Sequence, residues 1–208
     1  DFFKGYYEKS NIYVHCYDYK NITQEFIKKY NIDEVLDTSW GEIYDVVRYV
    51  MDISIKNNDY KLVLLSESTI PSKPFNYVYD YLIKDKKGYL FNSINGELNN
   101  DYVEKRSNEK FITECQNNVF KENINKDYWY FNDAWIIFNK EMCKIILNDN
   151  KYNKIFKKLI GCPDERYPIY LYSLQNKLDL FHNIKTTYTN WNIIQQDTKR
   201  HPELFNHI

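Results

Sequence analysis

Residues 61–71 read KLVLLSESTIP. KLVLL is a continuous apolar run of strand length, the pattern of a central strand covered on both faces. It stops at Ser66, Glu67 and Ser68, and then at Pro71. Upstream, Ser39-Trp40-Gly41-Glu42 has the S-x-x-E spacing of a capping box. It predicts a helix running to about Lys56 with Ile43, Val46, Val47 and Val50 on one face. Downstream, PFNYVYDYLI at 74–83 aligns Phe75, Val78, Tyr79 and Leu82, again a helical stripe. NIYVHC at 11–16 reads as a short strand, and 24–30 as a short helix. Alternation of this kind predicts an α/β fold with a mostly parallel, twisted sheet flanked by helices. Open parallel sheets bind ligands beyond the carboxyl ends of their strands. Ser66, Glu67 and Ser68 fall at that end. They are candidates to hydrogen-bond sugar hydroxyls, and their local alternative is a capping turn ahead of Pro71.

The rest of the chain sets bounds. Its 208 residues, 43% hydrophobic, suit one globular domain over 1–208. A formal net charge of -1 gives no global field for nucleic acid or an anionic membrane, so an anion must be met by a local cluster. The 21 Tyr fit the codon bias of an AT-rich genome, and alternatively sugar contact, where a ring stacks and its hydroxyl hydrogen-bonds. Cys16, Cys115, Cys143 and Cys162 form no C-x-x-C pair, and spacing does not choose between thiols and bridges. No run of about 18 apolar residues spans a bilayer, and no signal peptide is visible. The opening DFFKGYY, without Met, reads as a trimmed end.

Residues 92–127 are polar and weakly periodic, a loop or insertion region of the kind that carries substrate contacts. DYWYFNDAWIIFNKEMCKIILND (127–149) predicts a strand leading into a helix, and YNKIFKKLIG (152–161) a helix closed by Gly161. TTYTNW (186–191) reads as a late strand. The densest polar cluster is Cys162-Pro163-Asp164-Glu165-Arg166-Tyr167-Pro168. A helix begun at Pro163 would meet Pro168 inside it and lose a hydrogen bond. The helix therefore starts near Pro168, which leaves Asp164 and Glu165 on the approach turn, able to face a cleft. Lys199, Arg200 and His201 form a basic group near the end; two such cations can neutralise a diphosphate. There is no D-x-D pair, no Gly-rich phosphate loop among only five Gly, and no metal-ligand spacing among the four His.

Taken in order, DFFKGYYEKSNIYVHCYDY, SWGEIYDVV, LVLLSESTIP, YFNDAWIIFNKEM, CPDERYPIYLYSL, TTYTNW and HPELF resemble the core-2/I-branching family of β-1,6-N-acetylglucosaminyltransferases, including its short plant-type members. The most specific stretches are LLSESTIP and PDE followed by an aromatic and a helix. Residues 92–127 match poorly. DFFKGYY normally follows a first strand, so that strand is missing here. The resemblance implies a GT-A-like (Rossmann-like) fold, a UDP-sugar donor, a glycan or glycoprotein acceptor, and inversion without a metal or other cofactor. It implies Glu165 as the catalytic base and Lys199 and Arg200 on the diphosphate. It places a ribose-reading acid at Tyr17 or Asp18, Trp40 and Gly41 on the donor side, and Asp164 and Trp191 near the sugars. It also implies a Golgi or secretory lumen, with the membrane reached only through a segment absent from this chain; the lack of a visible anchor or signal leaves a cytoplasmic or viral-factory location as the alternative. The alternative is a catalytically inactive glycan- or nucleotide-binding module of the same fold.

Overall fold

The computed structural model describes residues 2–16, 36–38, 42–66, 69–94, 123–158 and 163–188. Their elements in chain order are α1 (Tyr44–Lys56), β1 (Lys61–Val63), α2 (Phe75–Ile83), β2 (Gly88–Tyr89), β3 (Ile137–Asn139), α3 (Lys140–Asn148), α4 (Tyr152–Phe156), α5 (Tyr167–Leu174) and β4 (Phe181–His182). This is an α/β arrangement with one small sheet.

The sheet is mixed, not mostly parallel. Its order is β1-β3-β2-β4. β3 runs antiparallel to both β1 and β2, with Leu62 opposite Phe138 and Tyr89 opposite Ile137. Among the described strands only β2 and β4 are parallel, with Tyr89 opposite His182. The centre is β3, where Ile137, Phe138 and Asn139 are all buried. The KLVLL run forms an edge among the described strands. Leu62 is buried, but Val63 is 37% and Leu65 58% exposed. A continuous apolar run gives no sidedness, so it could not tell an edge from a centre.

Two other expected strands differ. Residues 11–16 make no ladder among the described residues. They run beside the turn after α1 and are tied by side chains: Tyr13 Oη donates to Asp59 (2.7 Å), and Asn11 Nδ2 donates to the same carboxylate (2.7 Å). The late strand lies at Phe181–His182, ahead of the predicted 186–191. Tyr188 is 74% exposed, and residues 189–191 lie outside the described set, as do 24–30, Ser39, Gly161 and most of 92–127.

The helices follow their stripes. α1 starts at Tyr44 with Ile43 as N-cap and no side-chain cap, one turn after the predicted box. It buries Tyr44, Val46, Val47, Met51 and Ser54. α3 buries Met142, Cys143, Ile145 and Ile146 and packs between α1 and α5. α5 is buried on every side from Tyr167 to Ser173, the state expected of a helix apolar all round. Burial pushes the Cys143 thiol up to about 12, so it is inert.

Asn139 joins the layers. Its Oδ1 caps α3 at Met142 N (2.9 Å), and its Nδ2 donates to Leu180 O (2.9 Å) and Lys86 O (3.1 Å). Close by, Gly88 has no room for a side chain. A Cβ there would strike Met142 Sδ and lie 2.5 Å from Ile137 O. Met142 can rotate but the strand carbonyl cannot. Gly88→Ala is expected to lower unfolding stability by about 1–3 kcal/mol, read as a fall in urea midpoint. An unchanged midpoint would mean β2 is not seated against β3 as described.

Close to Lys86, Asp85 in the link between α2 and β2 pairs with His182 of β4. The Lys87 backbone N–H first, and then His182, hold the Asp85 carboxyl below the ordinary aspartate value. A depressed folded pKa gives stability that is full above the unfolded value, about 4, and is lost as pH falls through the folded one. The Tm gap between wild type and Asp85→Asn should therefore be present at neutral pH and close in acid. A gap that widens in acid would reverse the assignment.

Candidate functional site

The turn at 163–166 follows from its two prolines. Pro163–Glu165 form one 3-10 turn closed by Arg166 N to Pro163 O (3.1 Å). α5 then begins at Tyr167 with Pro168 in its first turn, where a missing N–H costs nothing. The helix start near Pro168 is as the sequence predicts.

Strand directions bring the expected end of the sheet to this turn. β1, β2 and β4 all end where β3 begins, because β3 alone runs the other way. Leu64 N extends the β1–β3 ladder to Ile136 O (3.1 Å). Asn92 pairs with Asn132 in a further antiparallel bridge, flanked by Ser93 N to Phe131 O (3.0 Å) and Asp133 N to Phe91 O (2.9 Å). Asn183, just past β4, accepts from Asn92 N (2.8 Å). Asn132, upstream of β3, then reaches the turn: its N–H donates to Glu165 O at 2.7 Å.

The turn parts its two acids. Asp164 is buried at 8% exposure and Glu165 is half-buried. Asp164 lines a small crevice of about 20 Å³, shared with Glu42, Tyr44, Asn153, Phe156, Lys157, Pro163 and Tyr167. Glu165 does not line it. Burial first, and then the Asp164 carboxylate, hold the Tyr44 hydroxyl well above the ordinary tyrosine range. Lys157, on the same rim, pairs with Asp45. Arg166 is buried, with its guanidinium 4.8 Å from the Trp129 ring centroid and 5.9 Å from that of Phe131. These cation–π contacts fix the far side of the turn. Below it, Tyr167 Oη donates to Asp149 (2.8 Å), and Arg48 donates to the α3 carbonyls of Ile146 and Leu147.

Ser66 lies at the same sheet end, past β1. Its Oγ is 3.0 Å from Thr69 Oγ1, and Thr69 N donates to Ser66 O (3.1 Å). These bonds tie Ser66 to Thr69 but cap no helix, since the next one, α2, starts at Phe75 with Pro74 as N-cap and no side-chain cap. Glu67, Ser68, Tyr17, Asp18, Trp40, Gly41, Trp191, Lys199 and Arg200 lie outside the described residues. So do Cys115 and Cys162, while Cys16 and Cys143 are free thiols.

Sequence reasoning missed Asn132 and the pair beside it. Asp133 lies 3.6 Å from Lys185. Burial raises its carboxyl above the usual range, and Lys185 opposes the shift. Asparagine is common throughout this chain, so nothing local marked position 132. Among the described residues no group of three or more His, Cys, Asp or Glu is placed to hold a metal ion. No helix among them is long and apolar enough to cross a membrane.

A family model described as Core-2/I-Branching enzyme matches residues 6–208. No curated protein and no solved structure matches the chain.

Proposed function

The chain belongs to the core-2/I-branching enzyme family of glycosyltransferases, and from that premise we propose that it moves a sugar, N-acetylglucosamine by family default, from a UDP-sugar to a glycan hydroxyl with inversion and without a metal. The fold is read as a GT-A-like domain over 1–208. One observation carries the reading. The Pro163–Glu165 turn is held against the sheet end where β1, β2 and β4 finish, the place where α/β sheets bind their ligands.

Glu165 is the base. The acceptor oxygen attacks the anomeric carbon as its proton passes to the Glu165 carboxylate. The bond from that carbon to the donor's diphosphate oxygen breaks, and UDP leaves with the electron pair. Lys199 and Arg200 are proposed to meet the charge that develops there. Ser66, Glu67, Ser68, Asp164 and Trp191 are proposed on the sugar side, and Asp18, Trp40 and Gly41 on the donor side.

The test is UDP release from a panel of UDP-sugars, with and without glycan acceptors, in EDTA. Acceptor-dependent release that EDTA leaves unchanged is expected. Strict dependence on manganese would overturn the metal-free mechanism. Binding of UDP or sugar with no release for any acceptor would instead identify an inactive module.

A further inference from the structure

Asn132 is fully buried at 0% exposure, and its groups are spent on the turn that bears the proposed base. Its backbone N–H donates to Glu165 O (2.7 Å). Its side-chain Nδ2 donates to Asp164 O (3.3 Å) and to Asp133 O (3.0 Å). Its Oδ1 accepts from Ile169 N (3.4 Å), in the first turn of α5. A single residue thus holds both carbonyls of the acidic pair and a leading N–H of the helix that follows. Asn132 is itself anchored through its bridge to Asn92, which Asn183 grips in turn with Nδ2 donating to Asn92 O (3.3 Å).

We propose that Asn132 is the positioning residue for the Glu165 base, transmitting the placement of the β2, β3 and β4 ends to the catalytic turn. The proposal rests on the transferase reading above. Its chemistry is that of an amide with a donor and an acceptor on one short stem. No apolar residue offers both, and a buried carbonyl left unmatched is costly. The backbone bond to Glu165 would survive truncation. The side-chain bonds that stop the turn from rotating about it would not. Misplacement of a catalytic group by about 1 Å costs a rate factor on the order of 10².

Three variants test it. Asn132→Ala removes the side-chain bracket. Asn132→Asp keeps the oxygen that faces Ile169 N and loses the Nδ2 donor. Asn139→Ala removes a comparably buried asparagine that clips the sheet elsewhere, and so reports the cost of merely losing a structural amide. In Asn132→Ala, kcat is expected to fall on the order of 10²-fold with the donor KM nearly unchanged. Asn132→Asp sets a carboxylate oxygen against the Asp133 and Asp164 carbonyls and is expected to lose at least as much of kcat as Asn132→Ala. Asn139→Ala is expected to lose thermal stability and keep kcat. If Asn132→Ala does not fold, the Asp variant carries the comparison. Wild-type kcat in either folded Asn132 variant, or equal loss of kcat in Asn139→Ala, would overturn the proposal while leaving the transferase reading intact. No transfer by the wild-type chain would instead remove that reading itself.

Discussion

Glu165→Gln is expected to reduce kcat for sugar transfer by about 10²–10⁴-fold. Glutamine keeps the shape of the side chain and cannot take a proton. The hydrogen bond from Asn132 N to Glu165 O involves only backbone atoms at Glu165, so that bond is kept in the variant. The Pro163 start and the Arg166 contacts with Trp129 and Phe131 are likewise untouched. Melting temperature and UDP-sugar binding should therefore stay near wild type. A variant that loses only the step needing a base, and neither fold nor donor affinity, isolates proton transfer from positioning. Undiminished kcat in Glu165→Gln would exclude this carboxylate as the base.

The second large effect is on stability. Phe138 is 0% exposed at the middle of the central strand, opposite Leu62. Phe138→Ala removes a ring from a packed interior that includes Met142 and Leu62, and should cost about 3–5 kcal/mol. Whole domains have about 5–15 kcal/mol to lose, so this one change takes a large share. The urea midpoint should drop steeply with the slope m unchanged. Tyr77→Ala is the contrast. Tyr77 is 60% exposed on α2, and its loss should stay within about 0.5 kcal/mol. Equal effects at the two positions would contradict the described core.

The helices were legible because each carries a one-sided or fully apolar pattern that local chemistry can express. The start of α5 was legible for a sharper reason: two prolines five residues apart admit few helical registers. The sheet was less so. β2 is Gly88–Tyr89 and β4 is Phe181–His182, two residues each, too short for any alternation to register. The run at 61–65 announced a strand but not its neighbours. Antiparallel pairing with β3 is a tertiary fact that no property of KLVLL encodes. NIYVHC has strand composition, yet its ties run through the side chains of Asn11 and Tyr13 to Asp59 and not through a ladder.

The site divides the same way. Pro163 and Pro168 mark the turn that carries both Asp164 and Glu165; the choice of Glu165 between them comes from the family resemblance alone. The placement of Asp164 in the crevice beside Tyr44 depends on α1 and α4 packing around it. Asn132 was invisible in sequence since its role is defined by partners 32 to 37 residues away.

A single base acting in one displacement fixes the stereochemistry, so the anomeric configuration of the first-formed product tests the account most directly. Proton NMR of product from an α-linked UDP-sugar is predicted to show only the β-linked glycan. An α-linked product would contradict a mechanism in which Glu165 deprotonates the acceptor for direct attack.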